Sequence, residues 1–127
     1  MCCAMALPYR KLGVWQRARA LALEVDRETR REVFRREWSL RDQARRAAFS
    51  VGANIAEGSG RNTRADYASF LDRARGSLFE LDHWMVMCCD IGLIGADRQK
   101  ELEDEIGQLS AMIHAMAMKL RNKQMGG

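Results

Sequence analysis

The sequence predicts an all-α protein, specifically an antiparallel up-down-up-down four-helix bundle. Three observations carry this. Pro8 is the single proline, so nothing beyond it forbids helix. Ala, Leu, Met, Arg, Glu and Gln are the prominent residue types, and all favour helix. Aromatics make up 7% of the chain and β-branched residues are few, which argues against a sandwich or barrel. At 127 residues the chain is long enough for one domain. Its 47% hydrophobic residues supply a core and its 30% charged residues cover it. A domain of this size buries roughly two thirds of its unfolded surface and needs no metal or disulfide staple.

The first helix is expected from about Val14 to Phe34. Trp15, Ala18, Ala22, Val25 and Thr29 recur at threes and fours, with Leu21 beside them. Ser39 reads as the N-cap of the second helix, with Asp42 three residues on as acidic partner. Ala44, Ala47, Ala48, Val51 and Ile55 form its small-residue stripe, and Gly58-Ser-Gly60 predicts a stop near Glu57. Asn62 or Thr63 caps a third helix of about 25 residues with Asp66 in its first turn. Tyr67, Phe70, Leu71, Ala74, Leu78, Leu81, Met85 and Cys88 form its stripe, and Gly92 ends it. The fourth helix starts near Asp97. Leu102, Ile106, Leu109, Ile113, Met116 and Leu120 give it the cleanest periodicity in the chain. Lys119, Arg121 and Lys123 suit its C-terminal dipole. Mostly short connections make neighbouring helices antiparallel. The whole chain, 1–127, reads as one domain with a core over about 9–121 and frayed termini.

Charge is unevenly spread. Residues 1–64 hold 14 Lys+Arg and 7 Asp+Glu, whereas residues 65–127 hold 7 and 10. The basic excess is mostly arginine, which suits bidentate phosphate contact. Cysteine falls in two adjacent pairs, Cys2-Cys3 and Cys88-Cys89, neither with zinc-site spacing. Cys88 and Cys89 read as reduced thiols in or near the core, which points to the cytoplasm. Met1–Leu7 is apolar but short, with no basic residue before it, unlike a signal peptide. The apolar run Trp84–Cys89 ends at Asp90, too short to span a membrane.

Catalytic chemistry finds little footing, and no enzymatic activity, cofactor or metal is expected. A di-iron bundle needs two Glu-x-x-His pairs. Glu80-Leu-Asp-His83 supplies one, but His114 has Ala111 three residues before it. Ser50, Ser59, Ser69 and Ser77 lack a nucleophile elbow. Gly58-Ser-Gly60-Arg61 follows a helix rather than a strand and lacks the lysine of a phosphate loop. A helix start at Thr63 with Arg61 and Arg64 is a better anion position. Polar residues interrupt the helical stripes in two places. Asn54 and Glu57 share a face, with Arg46 or Arg61 as candidate partners for Glu57, and Ser77 and Glu80 form a second group. These four are expected to form a structural polar network. Gly76, in mid-helix, is expected to mark close packing.

Tyr9–Trp15, Gln43–Arg46, Ser50-Val-Gly-Ala-Asn-Ile-Ala-Glu-Gly-Ser-Gly-Arg61 and Gly76-Ser-Leu-Phe-Glu-Leu81 carry a resemblance. With these stretches the chain resembles the four-helix-bundle proteins associated with intervening sequences in bacterial 23S ribosomal RNA genes, over roughly residues 9–121. It departs from them at Phe34–Glu37 and at Gly52, where relatives often carry proline, so the first interhelical turn is expected to be looser. The resemblance implies a left-handed bundle, a homo-oligomer of ring-shaped pentameric form, and no established enzymatic activity. A related basic pentameric bundle is an accessory subunit to a reverse transcriptase, which implies nucleic-acid or nucleoprotein binding by analogy.

Two functions are therefore expected as alternatives. One is an oligomeric module that binds structured RNA or a nucleoprotein through Arg17, Arg27, Arg31, Arg35, Arg36, Arg41, Arg45 and Arg46, with multivalency strengthening phosphate attraction. Trp15 and Trp38 are candidate stacking residues, with packing at the core or between subunits the competing reading. The other is a structural or protein-interaction scaffold without nucleic acid, in which those arginines form intersubunit salt bridges.

Overall fold

The structure is a computed structural model that describes residues 6–126, with side chains as far as Lys123. Cys2-Cys3 and the outermost termini, on which two expectations rest, lie outside that range. A 3-10 turn at Pro8–Lys11 leads into α1 (Gly13–Thr29), followed by a second such turn at Glu32–Phe34. Then come α2 (Trp38–Ser59), α3 (Arg64–Asp90) and α4 (Ala96–Gly126). Helix α2 packs along α3, α3 along α4 and α1 along α2, while α1 and α4 touch more lightly. The described residues thus form a four-helix bundle, with one core running through all four helices.

The periodic stripes are the core. Ala18, Leu21, Val25, Val51, Ile55, Leu71, Leu78, Leu81, Leu102, Leu109 and Ile113 are almost completely buried. Gly92 takes φ +86°, the left-handed conformation that glycine adopts without strain. The Leu93 N–H donates to the Cys88 carbonyl at 2.8 Å and the Gly92 N–H to the Cys89 carbonyl at 3.0 Å. That is a Schellman closure of α3. Thr63 caps α3 through its hydroxyl, which accepts the Asp66 N–H at 3.1 Å.

Two boundaries differ from expectation. Helix α1 ends at Thr29, five residues before Phe34. Arg31 is extended (ψ 150°), and the short turn after it lowers Phe34 fully into the core. Periodicity counts Phe34 as one more helical step, whereas the side chain reaches the core from a turn. Ser39 is not the N-cap: α2 begins one residue earlier, at Trp38, after Glu37, with no side-chain cap bond. The second helix also runs past Glu57 to Ser59. Its Gly58 lies against α3, where an added Cβ would sit 2.6 Å from Phe70 Cβ. Gly76 does not mark close packing: a Cβ there would meet nothing within 4 Å.

Candidate nucleic-acid interface

Residues 26–46 hold eight arginines and five acids, a net charge of +3. They form the last turn of α1, the connection and the first two turns of α2. Arg45 reaches Asp26 at 2.9 Å, which sets these parts of α1 and α2 at the same level. Seven of the eight expected arginines therefore gather at one end of the bundle: Arg27, Arg31, Arg35, Arg36, Arg41, Arg45 and Arg46. Arg31 Nη1 also donates to the Leu93 carbonyl at 3.3 Å, and Arg98 reaches Glu28 at 3.2 Å. The α3–α4 connection thus closes the same end.

Arg17 stands apart. It lies in the second turn of α1 and clamps Glu105 of α4, at 3.1 Å from Nε and 2.9 Å from Nη2, and donates to Gln108 at 3.0 Å. Its role here is to tie α1 to α4.

Electrostatics sort the other seven. Asp26 is shared by Arg30 and Arg45, each at 2.9 Å. The hydrogen bond from Arg30 holds the Asp26 carboxyl below its usual range, with Arg45 and Arg27 adding their field and burial opposing them. Arg31 pairs with Glu28 at 2.7 Å. Arg35 pairs with Glu32 at 3.3 Å, but both side chains stand in solvent, where such a pair contributes little. Arg41 is half-buried, 3.9 Å from Asp42, and its Nε meets no acceptor. Arg27, Arg36 and Arg46 are exposed and have no ion pair among the described residues. Trp38 stands beside them, 63% exposed. Trp15, by contrast, is half-buried, edge-on to Tyr9. The uncapped first turn of α2 leaves N–H groups at the positive end of its dipole amid these arginines.

The expected polar network divides into four contacts. The Ser50 hydroxyl donates to Ser77 across α2 and α3, and Asn54 Nδ2 donates to the Ser50 carbonyl at 2.8 Å. Glu57 is exposed and pairs with Arg61 at 2.7 Å, and Glu80 accepts from Trp84 Nε1 at 3.1 Å. Only the first contact joins helices. Sequence reasoning missed Ser50 as its third member, although Ser50 lies four residues before Asn54 on the same face. It also missed the Phe70 ring held between Arg61 and Arg73, whose guanidinium carbons lie 4.5 and 4.7 Å from its centroid.

Among the described residues no group of three or more His, Cys, Asp or Glu is placed to hold a metal ion. Nor, among those residues, is any helix long and apolar enough to cross a membrane. Fold and site together define a small all-α bundle with an arginine-dense end. Over residues 10–115 the chain matches the family described as 23S rRNA-intervening sequence protein, and it belongs to that family. Its fold is similar to the crystal structure of a protein with unknown function from the S23 ribosomal protein family of Bacteroides thetaiotaomicron. The two are 19% identical with a TM-score of 0.75, over 82% of this chain and 97% of that one. No curated protein matches the chain.

Proposed function

We propose that the chain is a non-enzymatic, homo-oligomeric helical module of the cytoplasm that binds structured RNA, alone or in a nucleoprotein, through its arginine-dense end. A pentamer is the subunit number taken from the resemblance. The observation that carries the reading is the gathering of seven arginines around the α1–α2 connection, with Arg27, Arg36 and Arg46 unpaired among the described residues and Arg35 only loosely held. Guanidinium groups in that state are available for bidentate phosphate contact. Trp38 adds an exposed ring on which an unpaired base can stack. Oligomerisation multiplies these contacts.

The test is binding to structured RNA at two salt concentrations. Affinity falls steeply with salt. Arg36→Glu with Arg46→Glu flattens that dependence by about one unit of log–log slope for each phosphate the protein no longer neutralises. Lys119→Glu, a charge reversal on α4 far from its N-terminus, changes binding much less. Folded protein that binds no RNA at low salt refutes the RNA reading. The scaffold reading then stands in its place, favoured by the ion pairs that already engage Arg17, Arg31, Arg35, Arg41 and Arg45.

A further inference from the structure

Helix α2 begins at Trp38, and this leaves Asp42 beyond its first turn, which holds no acid. Asp42 is therefore not the acidic partner of a cap. Nor does it have a close cation. Within residues 26–46, Asp26 is shared by Arg30 and Arg45, Glu28 is held by Arg31 and Arg98, and Glu32 by Arg35. Asp42 has Arg41 at 3.9 Å, which is too far for a hydrogen bond. An exposed carboxylate among arginines weakens their attraction for phosphate. Any contribution of Asp42 to RNA binding must come through groups other than phosphate.

Trp38 stands one helical turn before Asp42 on the same face, with roughly 5–6 Å between Cβ atoms at that spacing. Helical side chains lean toward the N-terminus, which carries the Asp42 carboxylate back toward the exposed indole. Glu37, an acid with no ion pair among the described residues, lies close enough to Cys88 on α3 to add its field to that thiol. A base stacked on the Trp38 ring presents its edge to Asp42. A carboxylate only accepts hydrogen bonds, so it selects an edge made of donors. Guanine alone carries two adjacent donors on its pairing edge, N1–H and the 2-amino group. Adenine and cytosine set one amino donor beside an acceptor, and uracil sets one N–H between two carbonyls. The O6 of guanine then calls for a donor next to the carboxylate, and the Arg41 guanidinium stands there.

We infer that Trp38 and Asp42 form a site for one unpaired guanine of the bound RNA, stacked on the indole and read by the carboxylate. The inference rests on the RNA reading above and adds which base the basic end selects. The arginines of that reading keep their role. Arg35 and Arg36 precede Trp38, and Arg46 follows Asp42 by four residues, so the backbone on either side of the base has a guanidinium to meet. Phosphate contacts supply affinity that falls with salt, whereas stacking and base-edge hydrogen bonds supply a preference that salt leaves unchanged.

The experiment titrates the full chain against labelled RNA hairpins by fluorescence anisotropy. Their uridine loops hold guanosine, inosine, adenosine or uridine at one place. The guanosine loop binds about tenfold more tightly than the adenosine or uridine loop, and that ratio holds at two salt concentrations. Inosine, which lacks the 2-amino group, falls between. Asp42→Ala, at an exposed helical position, abolishes the preference and leaves affinity for the uridine loop equal or higher, because a negative charge is gone. Trp38→Ala abolishes the preference too. Glu37→Gln keeps it. Equal affinity for all four loops, or an Asp42→Ala change by one common factor, overturns the guanine site and leaves the RNA reading standing. GMP that displaces the guanosine hairpin at hairpin concentrations assigns the site to a free nucleotide and overturns its place in RNA binding. Folded protein that binds no hairpin at low salt overturns both.

Discussion

Replacing Gly58 by alanine tests the closest approach in the bundle. The glycine lies in the last turn of α2, and a Cβ built on it sits 2.6 Å from Phe70 Cβ, 3.2 Å from Tyr67 Cδ1 and 3.3 Å from the Tyr67 carbonyl oxygen. The nearest of these atoms is fixed directly to the backbone of α3, so no rotamer change relieves it. Two terms oppose each other. Overpacking of this kind costs about 1–3 kcal/mol. Alanine recovers up to about 1 kcal/mol of helix propensity in a helix interior, and less near an end. The net expectation is a loss of about 1–2 kcal/mol, seen as a melting temperature lower by roughly 3–10 °C for a domain of this size. Urea and thermal unfolding followed by circular dichroism measure it. Gly76→Ala is the internal control: with nothing within 4 Å of its Cβ, it stabilises by about 0.5–1 kcal/mol. A Gly58→Ala protein as stable as wild type would refute the reasoning, because α2 and α3 would then be separating without cost.

Three further outcomes follow from the same structure. Phe34→Ala empties a fully buried site and costs about 3–5 kcal/mol by denaturant titration; a loss below about 1 kcal/mol contradicts the anchoring role of the second 3-10 turn. Asp26→Asn destabilises at neutral pH. A carboxyl held below its unfolded value stabilises above that value and loses the effect as pH falls through its folded one, so the wild-type advantage shrinks below about pH 4. A difference that does not change between pH 7 and pH 2 assigns the loss to packing instead. Burial pushes the Cys88 thiol up to about 11, with Glu37 adding its field, so it stays protonated at neutral pH. Iodoacetamide consequently modifies half-buried Cys89 first, and Cys88 only on unfolding; equal labelling of both in the native protein rejects the burial argument.

The helical faces were legible because burial follows the 3.6-residue period: the stripes on α2, α3 and α4 are buried except at Tyr67, Met116 and Leu120, which are partly buried. Helix ends were legible where a residue changes backbone chemistry. Gly92 needs its left-handed φ and Thr63 offers a capping hydroxyl. Between Thr29 and Trp38 there is no Gly or Pro, so the turn is made by ordinary residues and the pattern runs on unbroken to Phe34. The arginines of the candidate site were legible as a group, since seven of them are close in sequence. Their pairing was not, because Asp26 meets Arg45 and Glu28 meets Arg98 only once the helices pack. Gly58 reads in the sequence as a helix stop and Gly76 as a close contact, whereas Gly58 makes the close approach and Gly76 makes none. Only the distance to the neighbouring helix separates a glycine that packing requires from one that it does not.

The second 3-10 turn has a consequence for proteases. Four arginines, at positions 30, 31, 35 and 36, offer trypsin its preferred residue within one exposed connection. Cleavage requires a stretch of chain to leave the body and lie extended in the enzyme, and here that stretch is pinned by a ring in the core. Nicking at this connection is therefore gated by the lifting of Phe34, a local opening with its own free energy. Its rate is a clock for that opening in the free protein, and a footprint of anything that covers the basic end.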